Sequence, residues 1–243
     1  MSTKAELRKQ RNGTIVNGVS FRQEKQLKNA VLSVINTLHE KFPGIQLKWE
    51  QEVKLQTVIN RLKISFPDVS FATPLPASAM KPDGGFLYMI GKDGELYPIL
   101  ITEKKNQGTN DIRLQEGKKK QSMGNAIERL GKNVIGLCAS MLTESIFPFV
   151  CFGDGCDFAD GSSILDRVVT IAMFGELNEA HLFNQKAFAR GSFYFRRAQW
   201  SEEEMFRLSC ETAIRSVYYY FGKYGDKYFL AGSLSDACSS AVC

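Results

Sequence analysis

The chain has 243 residues, 44% of them hydrophobic and 23% charged, with 31 Lys and Arg against 26 Asp and Glu. That length and composition suit a soluble globular protein of one large or two small domains with a sizeable core, and no run of about 18 apolar residues is present to cross a membrane. The net charge of +5 is modest, so any attraction for a polyanion must come from where the basic residues are placed.

Residue chemistry excludes further classes. Cys138, Cys151, Cys156, Cys210, Cys238 and Cys243 form no C-x-x-C pair and no metal-ligand spacing. Several lie in apolar runs, as buried free thiols of a reducing cytoplasm do. His39 and His181 are the only histidines, so a Ser-His-Asp hydrolase or a histidine-based nuclease would have to rest on one of them. Met1 to Asn12 is basic and polar with no apolar core region, unlike a secretory signal.

Residues 1–20 read as a polar arm with little to order it. Gln23 to Lys41 carries Leu27, Ala30, Val31, Val34, Ile35 and Leu38 at helical spacing, and Pro43-Gly44 ends the helix. Val53 to Leu62 predicts a shorter helix with Val53, Val58, Ile59 and Leu62 inward. Phe66 to Met80 is proline-rich loop or edge strand. Phe86 to Ile90 is an apolar and aromatic run that favours a strand. Gly91-Lys92-Asp93-Gly94 is a tight turn, and Leu96 to Thr102 is a second strand with Pro98 near its start. Asn106 to Met123, with its glycines and lysines, predicts an exposed loop or arm.

Asn125 to Leu142 predicts a helix with Ile127, Leu130, Val134, Leu137, Cys138 and Met141 on one face. Phe147 to Phe152 reads as a buried strand, Gly153 to Ser163 as loop, and Val168 to Phe174 and Ser192 to Arg196 as further strands. Ser201-Glu202-Glu203-Glu204 is a capping box that opens a helix to about Phe221. Ala231 to Cys243 reads as a flexible tail. The order predicts an α/β protein with a mixed central β-sheet flanked by helices, in one domain over residues 21–230.

Lys81-Pro82-Asp83-Gly84-Gly85 precedes the hairpin and Glu103-Lys104-Lys105 follows it. A hairpin of this size brings Asp83 back beside Glu103. Side chains alternate along a strand, so Glu103 and Lys105 share a face and Lys104 points the other way. Two carboxylates supply hard oxygens for Mg²⁺, which keeps several waters. The ion makes one such water a better nucleophile, and Lys105 can orient it and offset charge on phosphorus. Asp83 and Glu103 are the candidate metal ligands, with Lys105 the third catalytic residue. Acid-x-Lys at a strand end is also a common solvated pattern. Lys104, Lys105, Lys118, Lys119 and Lys120 flank the cluster. Lys118, Lys119 and Lys120 suit contacts to a DNA backbone, and equally suit a solvated loop.

Gly124-Asn125-Ala126-Ile127-Glu128-Arg129 opens the predicted third helix. Asn125 and Arg129 are four apart and so lie on one face. Asn pairs bidentately with adenine, Arg is a frequent major-groove reader, and a helix N-terminus favours phosphate. Glu128 is placed to hold the Arg129 guanidinium. On spacing alone, a capped helix start with a surface ion pair accounts for the same residues.

These segments together resemble the EcoRI family of type II restriction endonucleases, a branch of the PD-(D/E)xK nucleases. The resemblance is carried by Lys81-Pro82-Asp83-Gly84-Gly85, Glu103-x-Lys105 with Gln107-Gly108, Gly124-Asn125-Ala126-Ile127-Glu128-Arg129 with Lys132-Asn133, and Met141-Leu142-Thr143-Glu144-Ser145 with Phe147-Pro148. It implies a restriction-endonuclease-like fold and a Mg²⁺-dependent cut by Asp83, Glu103 and Lys105. It further implies a homodimer that reads an AATT-centred palindrome in double-stranded DNA and leaves four-base 5′ ends. Asn125 and Arg129 would be adenine readers, Glu128 a bridge to the partner subunit, and Gly124 and Ala126 backbone or methyl contacts. Gln107, near a thymine methyl, and Met123 complete the recognition set. Gln121-Ser122-Met123 departs from the family pattern, so the resemblance stops at the AATT centre. A cytoplasmic enzyme of this kind implies a cognate DNA methyltransferase in the cell. A PD-(D/E)xK nuclease of repair or recombination, without palindrome reading, is the alternative.

Overall fold

The computed structural model describes residues 16–106, 110, 115, 117, 119, 124–141, 143–155, 158, 180–183, 186–189 and 191–230; for 16–21, 124–129, 132, 139, 180–183 and 186–189 the description is of the backbone. Helix α1 runs Val16–Lys41, β1 Leu47–Glu50, β2 Val53–Lys54, α2 Leu55–Ser65, β3 Ala79–Met80, β4 Gly85–Ile90 and β5 Leu96–Asn106. They are followed by α3 Gly124–Ala139, β6 Phe149–Asp154, β7 Ala180–Phe183, β8 Lys186–Ala189, β9 Ser192–Arg196, α4 Glu202–Tyr224 and a 3₁₀ turn, Asp226–Tyr228.

Among the described residues the main sheet has five strands in the order β1-β4-β5-β6-β9. β1, β4 and β5 pair antiparallel, while β5, β6 and β9 pair parallel, which is the mixed sheet expected from the sequence. Strand alternation divides the core in two. Leu87, Met89, Val150 and Phe152 meet α1 and α4 through Leu27, Val34, Met205, Val217 and Tyr220. Phe86, Tyr88, Ile101, Phe149 and Cys151 face the other way, onto Val58 and Leu62 of α2 and Leu130, Val134 and Leu137 of α3. The β4–β5 register shifts at Leu87/Tyr88, where partners step from Leu100 to Pro98. Pro98 has no N–H for the ladder, so the bulge falls where a bond is missing anyway.

Local signals account for several ends. Ser201 caps α4: its hydroxyl accepts from the Glu204 N–H at 3.2 Å, and Glu204 accepts from the Ser201 N–H at 3.0 Å. Two-way capping satisfies donors that the first turn leaves open. After α4 the chain turns back through Phe229, which is buried, and Leu230 bridges to Ile45.

Some expectations needed correction. α1 begins at Val16 rather than Gln23, because its first turns precede the apolar stripe that signals a helix. Val53 lies in a two-residue strand against Met80, and the helix starts at Leu55, whose N–H donates to the Ser78 carbonyl at 3.0 Å. That pairing is non-local and leaves no periodic trace. In the expected exposed arm, Asn110 has helical backbone and is buried, because a polar side chain can turn inward whatever its neighbours' composition. β7 and β8 form a hairpin that the sequence did not announce. The strand expected over Val168–Phe174, the arm over 1–15 and the tail over 231–243 lie outside the described residues. Among the described cysteines, Cys151 and Cys210 are buried and Cys138 is half-buried.

Candidate active site

The β4–β5 register pairs Gly85 with Thr102, so the residues just outside the hairpin on each side meet. The Asp83 N–H donates to Glu103 Oε2 at 3.0 Å, and the Lys104 N–H donates to Asp83 Oδ2 at 3.1 Å. Each backbone therefore holds the other's carboxylate. The two glycines make the close approach possible. A Cβ on Gly84 would lie 1.9 Å from Thr102 Oγ1 and 3.1 Å from Leu27, and Gly85 has a φ of +79° with the Glu50 carbonyl 2.7 Å from where its Cβ would be. Trp49 Nε1 donates to the Gly84 carbonyl at 2.9 Å and Gln51 to the Pro82 carbonyl at 3.4 Å, which fixes the loop against β1.

Lys105 shares the Glu103 face, as strand alternation requires. Its ammonium pairs with Glu103 Oε1 and stands 3.6 Å from Asp83 Oδ2. Asn133 of α3 adds a donor to Glu103 Oε1 at 3.4 Å. The Glu103 side chain is only 2% exposed, against 20% for Lys105 and 26% for Asp83. A solvated cleft thus describes Asp83 and Lys105 but not Glu103, which sits in the layer between sheet and α3.

Burial pushes the Glu103 carboxyl above its ordinary range; Lys105 pulls it down, and the Asp83 carboxylate adds to the rise. Burial also works against the Lys105 charge, but Glu103 and Asp83 more than offset it and raise the ammonium's pKa. Glu24 on α1 feels the same site. Burial and then the Asp83 carboxylate raise its pKa, against Lys28 and Lys105. Sequence reading did not single out Glu24, because only the packing of α1 over the hairpin brings it within reach of the acids.

Lys104 belongs to a different structure. Its side chain crosses to the α1–α4 face and forms an ion pair with Asp154, the two side chains being 3% and 0% exposed. Asn106 donates to Asp154 at 2.7 Å, and Gln23 reaches both Asp154, at 3.5 Å, and Asn106, at 3.3 Å. Lys104 is therefore removed from the basic surface cluster expected around the site: a buried charge needs a buried partner, and Asp154 supplies it. The alternation rule foresaw its direction, but nothing local marked Asp154 as its partner.

Gly124, Asn125, Ala126, Glu128 and Arg129 form the opening turns of α3. Their side chains, with Gln107, Met123, Lys118 and Lys120, lie outside the described residues. Lys119 is exposed. α3 is amphipathic as expected and buries Leu130, Val134 and Leu137.

The acid pair is suited to a hard divalent cation. Lys105 stands between the Asp83 and Glu103 carboxylates, so their oxygens converge on a point where positive charge is favoured. Among the described residues no cluster of three or more His, Cys, Asp or Glu side chains could hold a metal by itself. Two carboxylates leave most of a divalent cation's oxygen positions to water and phosphate.

A mixed sheet flanked by helices, with an acid pair and a lysine at the hairpin mouth, defines the restriction-endonuclease-like fold. The family model described as restriction endonuclease EcoRI matches residues 10–227. The type II restriction enzyme RsrI of Cereibacter sphaeroides is 26% identical over 229 residues, covering 79% of this chain and 82% of that enzyme. The type II restriction enzyme EcoRI of Escherichia coli is 31% identical over 133 residues, covering 51% of this chain and 48% of that enzyme. The chain belongs to the EcoRI family of restriction endonucleases, which are site-specific deoxyribonucleases. No helix among the described residues is long and apolar enough to cross a membrane.

Proposed function

We propose that this protein is a homodimeric, Mg²⁺-dependent endonuclease of the cytoplasm that cuts double-stranded DNA at a palindrome with an AATT centre and leaves 5′ overhangs. One observation carries the catalytic part: Asp83 and Glu103, twenty residues apart in sequence, converge with both carboxylates around the Lys105 ammonium. Asp83 and Glu103 would hold Mg²⁺, which supplies positive charge to the phosphate and makes a bound water more acidic. Glu103 is oriented for this by the Asp83 N–H, and Asp83 by the Lys104 N–H. Lys105 lies against both carboxylates, with its side chain 20% exposed. There its ammonium can orient the attacking water and offset the charge that builds on the pentavalent phosphorus.

The reading part is supported by placement. Gly124 to Arg129 open α3, where unpaired N–H groups and the helix dipole favour a DNA phosphate. Asn125 and Arg129 would read the adenines, Gly124, Ala126, Gln107 and Met123 would contact neighbouring bases, and Glu128 would bridge to the partner subunit. Lys118, Lys119 and Lys120 would meet the DNA backbone. A two-fold dimer matches a palindrome half-site for half-site. The catalytic and reading parts would share one domain, over 21–230. The cell would protect its own sites with a methyltransferase.

The experiment is digestion of a plasmid of known sequence in Mg²⁺, with sequencing of the fragment ends. Discrete fragments ending in AATT support the proposal. Random ends would instead indicate a repair-type nuclease that shares the acids and lysine but reads no palindrome.

A further inference from the structure

We infer that Asn133 is a positioning residue that ties the Glu103 carboxylate to the recognition helix, so that seating α3 on its DNA sequence sets the orientation of a metal ligand. The inference rests on the assignment of Glu103 and of residues 124–129 made under Proposed function.

Among the described residues three donors reach Glu103. The Asp83 N–H takes Oε2 from across the hairpin, and Lys105 takes Oε1 from the same strand. Asn133 also donates to Oε1, at 3.4 Å, and it comes from a different element. That distance is at the outer edge of a hydrogen bond, and the oxygen is shared with Lys105. When Lys105 turns to phosphate or water, Asn133 becomes the donor to Oε1. A small displacement of α3 then shortens or breaks that bond.

The helix is built to transmit such a displacement. Positions 125, 129 and 133 follow one another at the four-residue spacing of one helical side, with about 12 Å of axial rise from first to last. Leu130, Val134 and Leu137 pack α3 on the sheet beside Glu103, so reading segment and contact belong to one stiff element. The residue type fits the task. An amide donates without adding charge: a lysine there would compete with the metal, and an aspartate would repel Glu103. Asparagine is also a poor helix former compared with leucine or alanine, so its place in mid-helix is not explained by propensity.

The test compares wild type, Asn133→Ala, Asn133→Ser and Asn133→Gln, with Glu103→Ala as control. Two metal midpoints are read: the Mg²⁺ concentration for half-maximal single-turnover cutting, and the Ca²⁺ concentration that half-supports binding of an AATT-centred duplex. Asn133→Ala should raise both midpoints by about tenfold, the range for losing a group that orients a metal ligand. Affinity at saturating Ca²⁺ should change by less than about threefold, since no DNA contact is assigned to Asn133. Asn133→Gln, which keeps the amide, should recover most of the midpoint. Asn133→Ser is polar but too short to reach Glu103; it should behave like Asn133→Ala and replaces it if the alanine variant does not fold. Unchanged midpoints with weaker DNA affinity would make Asn133 a phosphate contact and overturn the inference. If Glu103→Ala itself leaves the metal dependence intact, the ligand assignment fails first. If Glu103→Ala abolishes metal dependence while Asn133→Ala matches wild type, only the present inference is overturned.

Discussion

Adjacent lysines on opposite faces of β5 should fail in opposite ways. Lys104→Met removes an ammonium whose side chain is 3% exposed and leaves Asp154, at 0% exposure, without its ion-pair partner. Breaking a buried pair from one side costs about 3–5 kcal/mol. Asp154 keeps one good donor, Asn106 at 2.7 Å, while Gln23 and the Trp200 N–H both stand at 3.5 Å. Those donors soften the loss without removing it, so about 3 kcal/mol is expected for Lys104→Met. Asp154→Leu should cost a similar amount by stranding the ammonium. The double variant removes both charges and should lose less than the sum of the singles by about 2 kcal/mol or more. Urea unfolding of the four proteins measures this cycle. Cutting by Lys104→Met under native conditions should persist, because Lys104 holds Asp83 through its backbone N–H. A loss below about 1 kcal/mol, or additive losses in the double variant, would refute the reasoning.

Other perturbations separate the parts of the molecule. Gly84→Ala places a Cβ 1.9 Å from Thr102 Oγ1 and 3.1 Å from Leu27, so it should cost about 1–3 kcal/mol in urea unfolding and sharply reduce cutting by displacing Asp83. Glu204 is held down to about 2 by hydrogen bonding to Arg196 first and to Ser201 next. Its contribution is therefore complete above the unfolded value of 4.5 and lost as pH falls toward 2. In thermal melts, Glu204→Gln should be less stable than wild type at neutral pH, with the gap closing in that acid window; a gap that does not vary with pH would contradict this. Asn125→Ala should weaken specific binding in Ca²⁺ by about 2–6 kcal/mol over both half-sites while changing non-specific binding less, as it removes no charge. Gel shifts on duplexes with and without the AATT centre decide it.

What the sequence disclosed, and what it withheld, follows from the range of each interaction. The β4–β5 hairpin, the Ser201 cap and the amphipathic face of α3 are local patterns, and all three occur as read. The Glu103–Lys105 face follows from strand alternation, and its meeting with Asp83 follows from hairpin length. Features that depend on packing between distant segments left no local trace. β2 pairs with β3 across the whole of α2, Asp154 meets Lys104 from fifty residues away, and Glu24 comes to the acids only because α1 lies over the hairpin. Asn133 was visible as part of the Lys132-Asn133 match, but its contact to Glu103 depends on how α3 seats on the sheet. Lys104 shows the limit of reading charge from composition: one lysine of an apparent surface cluster is buried.

The central claim is that Asp83, Glu103 and Lys105 cut DNA at an AATT-centred site. Single-turnover cleavage of an AATT-centred duplex by wild type and Glu103→Ala, in Mg²⁺ and at equal occupancy, tests it most directly. The account predicts metal-dependent cutting by wild type and a loss of several orders of magnitude in a variant that still folds. Cutting by Glu103→Ala at close to the wild-type rate would contradict it.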